Sequence, residues 1–391
     1  NTTDSDGVKT YYEDASFSVY TTNRSDHQAI SDVSDAQRLY VASGDELYIP
    51  EEVSFYTAKY ATAPDSSIQM SKLIVDGVVR SEKLSFDKES GDYDVYYWVA
   101  LIGASYLDKS GLYIYSPFYD ALNAIEDAAD KTIYVGGNID FDADFTLERD
   151  QAILNYGVDF FTEDWTTHTF YHGTFYHGID EGVTVNVADG AEMRISFAVP
   201  SGIQGILNVA YNGICTPEAG SYEVKKVNDD RSVTYTSIAT AIELAESGEV
   251  IKVVSDVVFT KDKTIPDGVT VNVAPGVTIT AMGDLNVEGT LEIAESASLI
   301  VNGDLNVPGK IVNDGHFTVY GDHTVTGLVD SVMNGYSWGA DSIINAVDFE
   351  MDGRVYAASF ATAVEMASEM TNPVLYVDGT VVETKDVALS E

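Results

Sequence analysis

Three of the six histidines in the chain lie within one short segment, residues 163 to 178. They are His168, His172 and His177. On an extended strand the first two share one face, and a turn at Gly173 would bring the third beside them. Together with Glu163 or Asp164 they could form a metal site with imidazole and carboxylate ligands.

The same segment is rich in aromatic residues and contains Thr-Phe-Tyr-His-Gly twice in tandem. Large aromatic side chains contribute strongly to contacts between proteins. An exposed aromatic hairpin that contacts another subunit is therefore the alternative to a metal site, and it is the interpretation we favour. The contact residues we predict, one of them from the C-terminal part of the chain, are Trp165, Phe170, Tyr171, Phe175, Tyr176 and Tyr376.

A second candidate site is a run of oxygen ligands on alternate residues. Its members are Asn138, Asp140, Asp142 and Asp144. On a strand they would share one face, where a bound calcium ion or solvent relieves their mutual repulsion. The run lacks the EF-hand pattern, because its sixth residue is Ala143 and its twelfth is Arg149. A calcium site and a solvated face both stay open.

Acidic residues dominate the charge of the protein. The chain has 63 acidic and 21 basic residues, which gives a formal net charge of −42. Such a surface repels nucleic acids and anionic lipids and argues against a polyanion-binding function. It also attracts cations, so calcium is the cofactor we expect, since divalent ions relieve the self-repulsion of clustered carboxylates.

Several features of the sequence favour an extracellular location. The chain opens at Asn1 rather than at a methionine, which predicts a processed product or a fragment. Glycosylation sequons occur at Asn1 and Asn23.

No run of about twenty apolar residues, the length of a membrane span, is present. Cys215 is the only cysteine, so the chain holds no intrachain disulfide and no thiolate metal cluster.

The region from Asp267 to Gly327 repeats with a period of about twenty residues. The sequence Gly-Asp-Leu-Asn-Val-Glu-Gly at 283–289 returns at 303–309 with one change, and again in degenerate form at 321–327. Short runs of alternating aliphatic residues separate the copies. Strands of period two between glycine turns predict a β-solenoid, in which stacked coils bury apolar faces that one coil cannot bury alone.

A longer repeat surrounds the coils. Short helices are predicted to begin near Phe118, Ile238 and Phe360, which lie 120 and then 122 positions apart. Apolar residues recur at helical spacing, and a serine precedes each helix as its expected N-cap. A strand follows each helix, and a hairpin precedes the second and the third.

The fold class we predict is mostly β, with an N-terminal β-sandwich followed by β-solenoid units that each carry one short helix. The predicted domains are an extended arm at 1–34, a sandwich-like domain at 35–112, a first solenoid unit at 113–233 with an insertion at 145–180, a second unit at 234–355 and a truncated third unit at 356–391. Because no coils follow the third helix before Glu391, we expect unpaired strand edges at that end. Pairing with a neighbouring copy would cover them and produce a polymer.

The sequence of 250–258, the glycine-aspartate coils and the short alanine-rich helices resemble the β-helical repeats of prokaryotic cell-surface proteins. The likeness covers residues 111–391 and is to surface-layer, sheath or adhesin-like proteins of methanogenic archaea and Gram-positive bacteria. It implies an extracellular structural role and provides no catalytic residues. The chain departs from such proteins in lacking a sortase motif and a C-terminal hydrophobic tail.

The function we expect is that of a secreted structural protein that assembles with copies of itself into a sheath, surface layer or filament. We expect no catalytic activity, because the sequence has no nucleophile elbow, phosphate loop or dinucleotide-binding glycine pattern. One alternative is a cell-surface adhesin that binds carbohydrate or another surface through the sandwich or the aromatic hairpin. Another is a β-helix enzyme that acts on polysaccharide. We expect no nucleic-acid partner and no membrane insertion.

Overall fold

The computed structural model describes most of the chain after residue 102 and short segments before it. The described residues are 2–3, 9–10, 12–13, 20–21, 38–41, 43–44, 46–49, 53–54, 73–75, 77–82, 103–136, 138–155, 176–333, 335–338, 346–371 and 373–378. The fold is mostly β, with a β-solenoid of about 9 turns and few helices. This confirms the predicted fold class apart from its N-terminal sandwich.

The chain divides into two compact units. The first comprises Asn1–Gly178, Val185–Ala198 and Val209–Pro217. The second comprises Ile179–Thr184, Val199–Asn208 and Glu218–Glu391. Each unit is described by itself below.

Nine short strands are described before residue 103. They are β1 Thr2–Thr3, β2 Lys9–Thr10, β3 Tyr12–Glu13, β4 Tyr20–Thr21, β5 Arg38–Val41, β6 Glu46–Ile49, β7 Val53–Ser54, β8 Leu73–Val75 and β9 Val78–Ser81. Strands β5 and β8 pair in parallel, and so do β6 and β9. The extended arm and the β-sandwich stay predictions, because most of 1–112 lies outside the described residues.

The strands from 103 to 209 are β10 Gly103–Leu107, β11 Tyr113–Ser116, β12 Thr132–Gly136, β13 Ile139–Phe141, β14 Phe145–Leu147, β15 Ala152–Asn155, β16 Tyr176–Ile179, β17 Thr184–Val187, β18 Glu192–Arg194, β19 Ser196–Phe197 and β20 Ile206–Val209. Helix α1, Phe118–Asn123, follows β11, and a 3-10 turn at Ile125–Asp127 follows the helix. In the first unit, β10 pairs antiparallel with β11 and β12, and β12 continues in parallel to β15 and β18.

In the first unit the number of residues that separate one strand from its parallel partner varies. Ile133 pairs with Ile153, whereas Ile153 pairs with Met193, so the second step is twice as long as the first. The longer step contains residues 156–175, which lie outside the described residues. Strands β14 and β15 lie inside the predicted insertion, yet they pair with coil strands.

The remaining strands are β21 Val224–Val227, β22 Val233–Thr236, β23 Val250–Val253, β24 Val257–Phe259, β25 Lys263–Ile265, β26 Thr270–Val273, β27 Thr278–Ala281, β28 Leu285–Val287, β29 Thr290–Ile293, β30 Ser298–Val301, β31 Leu305–Val307, β32 Lys310–Asn313, β33 His316–Val319, β34 His323–Val325, β35 Leu328–Val332, β36 Tyr336–Trp338, β37 Ala346–Met351, β38 Arg354–Ala358 and β39 Tyr376–Asp378. Helices α2, Ile238–Leu244, and α3, Phe360–Ala367, belong to this region.

Three parallel stacks of strands build the coils of the second unit. One runs β23-β26-β29-β32-β35, another β24-β27-β30-β33-β36, and the third β25-β28-β31-β34. Thr270 pairs with Thr290, and Thr290 with Lys310, so the step matches the predicted period. The next step, from Lys310 to Leu328, is slightly shorter. The predicted solenoid is therefore confirmed.

The coil strands alternate between buried and less buried residues, as their sequence pattern predicts. Val271, Leu291 and Ile311 stack on one another in successive coils and are at most 1 % exposed. Full burial of one such side chain stabilises the fold by about 1.5–3 kcal/mol. The core is thus a continuous column that no single coil could form.

Glycine at the corners is required by the close approach of successive coils. A Cβ atom on Gly309 would lie 2.1 Å from the carbonyl oxygen of Gly289 and 2.3 Å from that of Glu288. No side chain fits there, which explains why the glycine of the repeat returns in each coil.

The predicted serine N-caps are confirmed for two helices and wrong for one. Ser237 and Ser359 each accept a hydrogen bond from a backbone N–H of the first turn, at 3.2 Å. At α1 the N-cap is Pro117, which makes no side-chain cap. The expected cap, Ser116, lies one residue earlier because it is the last residue of β11.

Candidate functional site

The three helices belong to three copies of one arrangement, which we call the module. It consists of an antiparallel hairpin, a short helix and a third strand that returns beside the first hairpin strand. The strands are β10, β11 and β12 in the first module, β21, β22 and β23 in the second, and β37, β38 and β39 in the third. We call the third strand of each module its starter strand.

In the first two modules the starter strand begins a stack of coils. Strand β12 pairs in parallel with β15, and β23 pairs in parallel with β26. In the third module β39 pairs with β37 alone and is the outermost strand of its sheet among the described residues. No described strand occupies the position at β39 that a coil strand occupies in the other modules, and we call this position the open edge of β39.

The side chains around β39 make this edge apolar. Val374 is 57 % exposed, Tyr376 64 % and Val377 54 %. Leu375 anchors the segment, because it packs against the buried cluster that contains Phe349. An exposed strand edge with large apolar side chains is a template for pairing with another chain.

Arg354 ties the third module to the coils. Its guanidinium donates hydrogen bonds to the side chain of Asp330 and, at 2.7 Å, to Asp314 Oδ1. Burial lowers the pKa of Arg354, but the bonds to the two aspartates outweigh burial, and the net shift is upward. Strand β38 also pairs antiparallel with β35, the last strand of its coil stack. The edge at β39 is therefore presented by a module that is firmly joined to the coils.

Of the other predicted contact residues, Tyr176 is the one that lies among the described residues. Tyr176 is 47 % exposed at the start of β16. Trp165, Phe170, Tyr171 and Phe175 lie outside the described residues. The predicted glycosylation sites Asn1 and Asn23 also lie outside them.

The predicted carboxylate run does not share one strand face. Strand β13 ends at Phe141, so Asp142 and Asp144 lie in the turn that follows, although all three aspartates of the run are exposed. On either side of this turn Phe141 and Phe145 are buried and pack on Phe118, with ring centroids 4.9 and 5.5 Å apart. The expectation of one strand face was wrong because the run continues past the end of β13.

Tyr119 of α1 holds the same turn. Its hydroxyl accepts hydrogen bonds from the backbone N–H groups of Asp142 and Ala143, at 3.0 and 2.9 Å, and donates one to the carbonyl of Ala143 at 3.2 Å. Burial raises the pKa of Tyr119. The side-chain oxygen of Asn138, another member of the run, accepts from the backbone N–H of Tyr176 at 2.9 Å. The segment has a structural role that its sequence did not reveal.

His177 lies in the interior of the first unit. It is fully buried, its Nε2 atom lies 2.7 Å from Asn155 Oδ1, and its ring stacks on Phe141 with centroids 6.0 Å apart. The other two histidines of the predicted metal site, His168 and His172, lie outside the described residues. Within the described part of the chain no three His, Cys, Asp or Glu side chains are grouped so as to hold a metal ion.

A column of aspartates runs along one corner of the coils. Each carboxylate accepts a hydrogen bond from the backbone N–H of the aspartate in the next coil. The distances are 2.9 Å from Asp284 to Asp262, 2.8 Å from Asp304 to Asp284 and 2.9 Å from Asp322 to Asp304. The returning Gly-Asp pair in the sequence was the signal for this column, which explains why aspartate follows the corner glycine.

No family model matches the chain, and it matches no curated protein and no solved structure. None of the helices among the described residues is long and apolar enough to span a membrane. The fold and the open edge at β39 therefore carry the argument about function.

Proposed function

We propose that this protein is an extracellular structural protein whose copies join head to tail into a sheath, a surface layer or a filament. The observation that carries the proposal is the open edge of β39. It occupies the place at which two equivalent starter strands of the same chain, β12 and β23, receive a parallel strand. A strand from another copy can complete the third module in the same way.

The strand that β39 receives is β6 of the next copy. Among the described residues the seven-stranded sheet that contains the first starter strand ends at β18 and at β6. Strand β18 forms a further bridge, from Glu192 to Ile214, which leaves β6 as the candidate edge. Its edge and that of β39 belong to different sheets, so a contact between them is heterologous. A heterologous contact that does not close into a ring continues indefinitely, which gives a linear polymer.

Charge sets the conditions for assembly. Copies that each carry a formal net charge of −42 repel one another. Calcium bridging between exposed carboxylates, such as those of Asp140 and Asp142, would offset this repulsion. The protein has no catalytic role in this proposal, and its partners are other copies of itself.

Negative-stain electron microscopy of the purified chain tests the role. The protein is imaged in millimolar calcium, after addition of a chelator, and in the same buffer with sodium chloride alone at matched ionic strength. Ordered polymers that dissolve on chelation support both the structural role and calcium bridging. Polymers that persist after chelation support the structural role and exclude calcium bridging. Dispersed monomers under all three conditions contradict the proposal.

A further inference from the structure

The second module differs from the other two in how its hairpin meets its starter strand. Strands β10 and β12 are joined by three register pairs, and β37 and β39 also by three. Strands β21 and β23 are joined only by Val224 and Val253, although all eight of their residues are described. Beyond that pair the hairpin splays away, and a groove of about 740 Å³ opens between the two strands.

Three lysines line this groove, in a chain that has only 21 basic residues. They are Lys225, Lys226 and Lys252, and all are exposed. Lys226 forms an ion pair with Glu249, and the ammonium of Lys225 lies 5.5 Å from the ring centroid of Tyr235. Lys252 makes no ion pair among the described residues. The lining also includes Glu246 and Glu249, so three lysines face two glutamates and the groove keeps an excess of one positive charge on a strongly acidic protein.

Aliphatic side chains lie between the lysines. Val227 is 65 % exposed, Leu244 62 % and Val250 60 %. On β21 and on β23 alike, a lysine and a valine stand two residues apart and so face the same side of the strand. A partner strand with an acidic and an aliphatic residue two positions apart would complement either wall.

We propose that this groove binds an extended acidic segment of a partner protein by β-strand addition. The segment would pair with the backbone edges of β21 and β23 that the splayed hairpin leaves open, and its carboxylates would contact Lys225 and Lys252. Its aliphatic residues would cover Val227 and Val250. This site is independent of the edge at β39 and does not rest on self-assembly.

The open strand edges favour a peptide over an acidic polysaccharide. Main-chain hydrogen bonds supply much of the affinity in strand addition, and the pockets for alternate side chains supply specificity. A uronate chain would use the lysines but has no main-chain N–H groups to pair with the two strands. Exposed valine and leucine side chains also match aliphatic side chains rather than sugar hydroxyls.

The test is the binding of a labelled, end-blocked peptide to the full chain, measured by fluorescence anisotropy. The probe is Thr-Glu-Thr-Val-Thr-Glu-Thr-Val, and the control probe has lysine in place of glutamate. We expect saturable binding of the acidic probe alone. The variant Lys225→Glu/Lys252→Glu should bind it at least tenfold more weakly, since both lysines would then repel it.

The matched control variant is Lys261→Glu/Lys310→Glu, which changes the net charge equally at exposed lysines outside the groove. It should bind within about twofold of the unmodified chain. A second groove variant, Lys225→Met/Lys252→Met, removes the charges without adding repulsion and should show an intermediate loss. Thermal unfolding of all variants checks that each is folded.

Four results would overturn the proposal. The first is an absence of binding at millimolar peptide, and the second is equal binding by the groove and control variants. The third is binding of an oligogalacturonate as tight as that of the peptide, which would assign the groove to acidic glycans. The fourth is a change in self-association of the groove variant without a change in peptide binding, which would make a second copy the occupant.

Discussion

The second and third modules carry helices of similar sequence in different surroundings. Both helices begin with a serine N-cap and continue with Ala-Thr-Ala, and both caps accept at 3.2 Å. In β23 burial alternates, because one face of the strand covers the coil interior. In β39 the consecutive residues Tyr376 and Val377 are both more than half exposed, so neither face is covered by the described part of the chain.

A strand needs a partner edge in order to form, and it needs further strands that cover its faces in order to be buried. Both starter strands form because the hairpin and helix beside them provide a partner edge. Only β23 gains the hydrophobic free energy of a coil stack, because β26 and the strands beyond it continue its faces. The third module presents the same edge at β39. On our proposal a strand of another copy pairs with β39, as the coil strand β26 pairs with β23 in the second module.

Breaking the coil stack should have the largest effect. Gly309→Ala places a methyl group against two carbonyl oxygens of the preceding coil, so we expect the free energy of unfolding to fall by about 3 kcal/mol. Urea denaturation followed by circular dichroism measures the change. The control is Gly276→Asn, where φ is +79° and no atom lies within 4 Å of the added Cβ. Because asparagine tolerates this conformation, a control loss as large as that of Gly309→Ala would contradict the explanation.

Loosening the third module from the coils should have the next largest effect. Arg354→Met keeps most of the aliphatic stem and removes the hydrogen bonds to Asp330 and Asp314. Hydrogen bonds to charged groups contribute about 1.5–3 kcal/mol, and we expect a loss of about 2 kcal/mol. Hydrogen exchange should show faster exchange in β37 and β38 than in β26 and β29. Uniform acceleration across the coils would show that Arg354 does not act locally.

In the aspartate column the hydrogen bonds should contribute more to stability than the negative charges do. Asp304→Ala removes the acceptor for the backbone N–H of Asp322, which should cost about 1 kcal/mol. Asp304→Asn keeps an acceptor oxygen and removes one of several stacked negative charges, so we expect it to be neutral or stabilising. Urea denaturation of both variants in the same buffer distinguishes them. Equal losses would mean that the negative charge itself is required.

The smallest expected effect concerns pH and belongs to the second module. The hydrogen bond from Lys226 holds the pKa of Glu249 below its ordinary value of 4.5. A carboxyl group with a pKa lowered by folding adds stability above its unfolded pKa, and that contribution is lost as the pH falls through the folded pKa. We therefore expect the unfolding midpoint to fall as the pH drops below that ordinary value, and to fall less steeply in Lys226→Met. Identical pH profiles would show that the pair contributes no measurable stability.

The local pattern of the sequence was sufficient to predict the coils, the module helices and the strands that follow them. Each of these depends on residues within one turn or one period, such as the glycine that returns at 289 and 309. The burial of His177 was not predictable in this way, because it depends on parallel pairing with Phe197, which belongs to a later strand of the chain. A polar, aromatic segment gives no local sign of that pairing.

The candidate sites also depend on contacts between distant segments, which the local sequence pattern does not reveal. The sequence predicted the third helix and the strand after it, whereas unpaired strand edges beyond them stay a prediction, because residues 379–391 lie outside the described residues. The splayed hairpin of the second module was not predicted, because Val-Lys-Lys-Val at 224–227 carries no local sign of how far the strand pairs with β23. Whether β21 stays beside β23 depends on the packing of the whole hairpin. The turn at Asp142 was missed because the alternation of the acidic run continues through it, although β13 ends at Phe141 and the next strand begins at Phe145.

The most direct test of the account is sedimentation velocity of the edge variant Tyr376→Glu/Val377→Glu beside the matched control Tyr320→Glu/Val258→Glu. Tyr320 and Val258 are exposed to 65 % and 60 %, similar to the two edge residues, but lie on the coils away from β39. We predict that the unmodified chain and the control sediment as polymers, whereas the edge variant sediments as a folded monomer. Polymers of equal size from both variants would contradict the claim that β39 receives a strand from another copy.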